Sequence, residues 1–184
     1  MDWSFNYVVS QVLVILGSIL FAGSYTIKKR TLMTAVVASA SICYAFSYVF
    51  LHAWTGAVMS LVSVTRGLLF AFDRDSGKDY ITLKEWSYFI LISIASVIVG
   101  VLTYAGWYCI FPPIATIIYT FGLCQKNSSV YKILEVPSGT CMVLYTIFVH
   151  SIFGIISESA FILVALIMFI KEKIDKSKET LVKE

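Results

Sequence analysis

Charge is what this chain has least of. Of its 184 residues only 14% are Asp, Glu, Lys or Arg, 59% are hydrophobic, and the mean hydropathy is +0.85. Soluble domains carry about a quarter charged residues. A core of this length cannot absorb so much apolar surface, which excludes a water-soluble fold and predicts a membrane protein. The net charge of +3 sits outside the apolar runs, so nucleic acid is not an expected partner. The cysteines Cys43, Cys109, Cys124 and Cys141 include no C-x-x-C pair, and neither a disulfide framework nor a zinc site is predicted. Basic residues are missing from the opening MDWSFN, where a cleavable signal peptide needs them. The first apolar run should therefore remain as a span.

What is present is a series of long apolar runs. Reading for spans gives seven, at about 5–27, 32–52, 56–72, 87–107, 110–125, 138–153 and 155–170, against the ~20 residues a spanning helix needs. Loop charge alternates along this series. Lys28, Lys29 and Arg30 follow span one; Arg74, Lys78 and Lys84 follow span three; Lys126 and Lys132 follow span five. The tail from 171 to 184 holds Lys171, Lys173, Lys176, Lys178 and Lys183, whereas the gaps at 53–55, 105–110 and 153–155 hold no Lys or Arg. Under the positive-inside rule the N-terminus is outside and the C-terminus cytoplasmic.

The stretch VFLHAWTGAVMS (49–60) has an echo in IFVHSIFGIISE (147–158). At a constant offset of 98, Phe50 meets Phe148, His52 meets His150 and Gly56 meets Gly154. Both stretches are turns between an outgoing and an incoming span, where glycine tolerates backbone angles that other residues avoid. The chain thus reads as one all-α membrane domain over 1–184: a three-helix repeat over 5–72, a linker helix at 87–107 and a second repeat over 110–170. The odd linker lets the two triplets share one orientation, a parallel repeat about an axis along the membrane normal.

The motifs PPIATIIYTFGL (112–123), SVTR (63–66), HSIFG (150–154) and ESAFIL (158–163) carry a resemblance over nearly the whole length. The chain resembles the bacterial inner-membrane YgjV family, itself similar to the SWEET, PQ-loop and PnuC transporters. The resemblance implies a multi-pass protein of the bacterial inner membrane and a solute path between triplets. Spans one and two lack the helix-breaking prolines of the SWEET transporters.

Within the seven runs so bounded, only Arg66 and Glu158 carry full charge. Arginine at a helix centre costs about 2.5–3.5 kcal/mol on insertion scales, which the apolar residues of span three offset only marginally. Arg66 then faces the bundle interior or a wet cavity, or it snorkels to headgroups. Side chains lean toward a helix N-terminus, which points this one away from the cytoplasm. Glu158 is read as a second interior charge or as an interfacial residue favoured by a helix dipole. Ser63, Thr116, Tyr119 and Tyr145 are the polar residues expected beside a solute. His52 and His150 are expected among headgroups, with proton coupling as the alternative, since two imidazoles alone make a poor metal site. The stripe Gly56, Ser60, Ser63, Gly67 predicts close helix packing.

No paired-carboxylate, serine-elbow or similar catalytic constellation is present, so neither an enzyme nor a cofactor is expected. The reading is a small-solute carrier binding between the triplets in the lipid bilayer. The alternative is a non-transporting receptor or assembly protein of the same fold, as the KDEL receptor is; a homo-oligomer is left open.

Overall fold

The computed structural model describes residues 5–24, 30–73, 81–125 and 128–182. The loop charges Lys28, Lys29, Arg74, Lys78, Lys126 and Lys183 lie outside these residues. Among the described residues the chain is all-helical: α1 Phe5–Ser24, α2 Arg30–Phe50, α3 Trp54–Asp73, α4 Leu83–Leu102, a 3-10 turn Trp107–Ile110, α5 Phe111–Cys124, α6 Ser128–Phe148 and α7 Ile152–Val182. Among the described residues four stretches are long and apolar enough to cross a membrane: Phe5–Gly23, Leu83–Leu102, Trp107–Cys124 and Ile152–Lys171. The other three helices contain shorter apolar segments, Val36–Phe50, Trp54–Phe70 and Ile133–Phe148. On α4, Ile90, Leu91, Ile94, Val97, Ile98 and Val101 are all exposed, an apolar surface that fits lipid and not water.

Local chemistry explains where the helices begin. Thr82 caps α4: its hydroxyl accepts the Glu85 N–H at 3.3 Å, and the Glu85 carboxylate accepts the Thr82 N–H at 2.8 Å. This reciprocal box satisfies two amides that the first turn leaves bare. α4 accordingly starts at Leu83 and not at 87. Pro112 and Pro113 occupy the first turn of α5, where a missing N–H costs nothing. α6 differs most from expectation, starting at Ser128 rather than 138, because Pro137 lies inside the helix and does not begin it. An interior proline removes one backbone bond, yet both sides of it remain helical.

The packing order is a closed circuit. α1 packs on α2, α2 on α3, α3 on α5, α5 on α6, α6 on α7 and α7 on α1, while α4 packs on α3 and α5. One buried cluster, Tyr48, Ala57 and Tyr145, joins α2, α3 and α6 near the two histidine turns. A second, Phe70, Ile92 and Cys124, joins α3, α4 and α5 toward the other end.

The histidine turns repeat each other bond for bond. In the first, the N–H groups of Leu51, His52, Ala53 and Ala57 donate to the carbonyls of Ser47, Val49, Tyr48 and Ala53 at 2.9–3.2 Å. In the second, Val149, His150, Ser151 and Ile155 donate to Tyr145, Ile147, Thr146 and Ser151 at 3.0–3.1 Å. Every donor and acceptor is displaced by the same 98 positions. The left-handed residue that closes each helix is the histidine, with φ 56° at both His52 and His150. This corrects the expectation that Gly56 and Gly154 provide the unusual backbone angles: both glycines lie inside helices. The geometry is the Schellman closure, in which glycine is the usual left-handed residue. A side chain there costs about 1–2 kcal/mol, against about 0.5–1 kcal/mol of extra chain entropy for glycine. His52→Gly and His150→Gly should therefore each leave the melting temperature equal or slightly higher. A clear drop in either would assign the imidazole a stabilising contact.

Candidate functional site

Arg66 lies in the second half of α3, and Tyr119 faces it from α5. The guanidinium carbon stands 4.3 Å from the centre of the Tyr119 ring, well within the range of a cation–π contact. Both residues are half-buried. Ser63 and Thr116 precede them by one helical turn and so share their faces. The Ser63 hydroxyl donates to the Met59 carbonyl at 3.1 Å, and Thr116 is buried. Arg66 and Tyr119, both singled out in the sequence, thus meet where α3 packs on α5, and Ser63 and Thr116 lie one turn earlier on the same two helices.

Tyr145 belongs elsewhere. Its ring is 1% exposed, and its hydroxyl accepts the Gly56 N–H at 2.9 Å, capping the first turn of α3 from α6. The Tyr48 ring lies 5.7 Å away. Gly56 is required by space: a Cβ there would stand 2.8 Å from Tyr48 and 2.9 Å from Tyr145. α7 is capped in a matching way, since the Phe153 N–H donates to the Gln11 side-chain oxygen of α1 at 3.0 Å. Tyr7 adds a bond from its hydroxyl to the His150 carbonyl at 3.2 Å. The imidazoles of His52 and His150 are exposed, so these residues act on the fold through their backbone.

Glu158, half-buried on α7, is grouped with neither Arg66 nor the histidines. Tyr44 and Tyr48 from α2 and Glu135 from α6 lie within electrostatic reach of it. Among the described residues no group of three or more His, Cys, Asp or Glu side chains could hold a metal.

Two interior residues escape a reading of the sequence by spans. Glu135 falls outside a sixth apolar run begun at 138, although α6 itself starts at Ser128. Gln11 is the one amide side chain in α1 past Asn6, following Ser10 and preceding the aliphatic run 12–16; an amide at the head of that run is the signal that would have found it. Gln11 is 4% exposed, and its Nε2 is buried without a hydrogen-bond partner.

A helical chain with apolar stretches long enough to cross a bilayer, and with arginine and glutamate kept among its helices, is an integral membrane protein. It belongs to the Imp-YgjV family of bacterial inner membrane proteins, whose model matches residues 8–175. No curated protein and no solved structure matches the chain significantly. Its place is therefore the bacterial inner membrane.

Proposed function

We propose that the protein is a small-solute carrier in which α1–α3 and α5–α7 are two like units, α4 is the linker, and the solute binds between the units. All seven helices cross the membrane in this reading, with the histidine turns outside and the tail cytoplasmic. The circuit of helix contacts supports it: exchanging α1, α2, α3 for α5, α6, α7 turns the α3–α5 contact into the α7–α1 contact. The two turns with one hydrogen-bond pattern support it as well. The observation that carries the proposal is Arg66 on Tyr119, a cation from one unit resting on an aromatic ring from the other. Binding sites of repeat-built transporters lie at such repeat interfaces. A guanidinium there selects an anionic or polyhydroxylated solute, because it offers five donors in a fixed plane.

The test is a thermal-shift screen of the purified protein against anionic and polyhydroxylated metabolites, followed by uptake of each hit into proteoliposomes. A true ligand at about 100 times its Kd stabilises by about 2.7 kcal/mol, and its uptake saturates. Hits that bind and never cross the membrane would leave a receptor and remove the carrier.

A further inference from the structure

The cap on α7 uses only half of the Gln11 side chain. Its Oε1 accepts the Phe153 N–H at 3.0 Å, and this fixes the amide, because turning it over would set N–H against N–H. The Nε2 belongs to the same planar group, so it lies beside the first turn of α7. There it is buried without a hydrogen-bond partner among the described residues, on a side chain only 4% exposed. Buried donors in folded proteins are nearly always satisfied, by a protein group or by a bound oxygen. A carboxamide pinned through its own oxygen is not free to swing toward another carbonyl.

The polar residue next to it on α1 has the same surplus. Ser10 and Ser47 are both fully buried, and their hydroxyls meet across α1 and α2 at 2.9 Å. That bond uses one of the two hydroxyl hydrogens. Neither serine donates to a carbonyl of its own helix, whereas Ser18, Ser60 and Ser63 do. Ser10 and Gln11 are consecutive, one bonded to α2 and the other to α7. Donor hydrogens are therefore left over on both sides of one turn of α1. A cation cannot use them. An anion would lack a countercharge: α1 has no lysine or arginine, and α7 has none before Lys171 and carries Glu158. A neutral oxygen fits, and the partial positive charge at the α7 N-terminus favours its lone pairs.

We propose that Gln11 and the first turn of α7 form a buried site for a neutral oxygen acceptor, which takes its hydrogen bond from Nε2. Two sources share that chemistry: a bound water, and a hydroxyl oxygen of a neutral solute. The site stands on the α1–α7 contact. It depends neither on the carrier reading nor on Arg66, and neither enters the test.

The chain has two glutamines, Gln11 and Gln125, so labelling the full-length protein in lipid bilayers with 15N-glutamine gives two carboxamide signals. Gln11→Leu removes one and so assigns it; where that variant fails to fold, Gln125→Leu assigns the same pair. Gln125 follows the end of α5 and serves as the hydrated reference. Water-edited magic-angle-spinning spectra are recorded with and without glycerol. If the oxygen is a water, the buried Gln11 carboxamide gains water magnetisation as readily as Gln125, and glycerol changes nothing. If it is a solute hydroxyl, glycerol shifts the Gln11 signal and leaves that of Gln125 in place. A Gln11 carboxamide that receives no water magnetisation and ignores glycerol overturns the proposal, since a side chain that only caps α7 through Oε1 behaves in that way.

Discussion

Arg66→Ala is expected to lower uptake at limiting solute by about 10- to 100-fold without lowering expression or thermal stability. Hydrogen bonds to a charged group are worth about 1.5–3 kcal/mol, which converts to that range at 1.4 kcal/mol per tenfold. Stability should hold or rise, because an arginine in a spanning helix costs about 2.5–3.5 kcal/mol on insertion scales and alanine removes that cost. The neighbouring ring separates charge from shape. The guanidinium stands 4.3 Å from the Tyr119 centroid, and a desolvated cation–π contact is worth up to about 2 kcal/mol. Tyr119→Phe keeps the π face and should transport nearly as wild type, whereas Tyr119→Leu should lose up to about 30-fold by the same conversion. Initial rates into proteoliposomes decide the matter. Uptake by Arg66→Ala equal to wild type would remove the α3–α5 contact from the solute path.

Gly56→Val should be the most destabilising single change at the histidine end. Even one added carbon would sit 2.8–2.9 Å from Tyr48 and Tyr145, both rings being nearly fully buried. Neither ring can retreat easily, since each packs on the other and Tyr145 also holds the Gly56 N–H. Overpacking of this kind costs about 1–3 kcal/mol for a small excess, and valine adds two more methyls. At about 2–4 °C per kcal/mol for a chain of this size, a fall of several degrees is expected. Gly67→Ala is the internal control. Nothing lies within 4 Å of a Cβ at Gly67, so alanine should be neutral or gain up to about 1 kcal/mol of helix propensity. Similar melting of the two variants would show that the clash at Gly56 is relieved by movement.

That contrast marks the limit of a stripe read from sequence. Gly56, Ser60, Ser63 and Gly67 recur on one face, and the face alone predicts close packing along its whole length. The structure divides it: Gly56 is pressed by two tyrosines, while Gly67 faces open space. Periodicity assigns a residue to a face but not the partner opposite. Loop charge likewise separates the helices, yet an apolar run marks a span and not the whole helix: α6 starts at Ser128, ahead of the run begun at 138, and continues through Pro137.

Composition and hydropathy by themselves determined that this chain is helical and belongs in a membrane, since these properties sum over residues and need no coordinates. The 98-residue echo located both histidine turns for the same reason. Which helices touch was settled by the tertiary structure alone. Arg66 and Tyr119 are 53 positions apart in the chain, and Gln11 reaches Phe153 across 142. Contacts at such separations depend on how helices pack around one another, and each side chain finds its partner only once that packing exists.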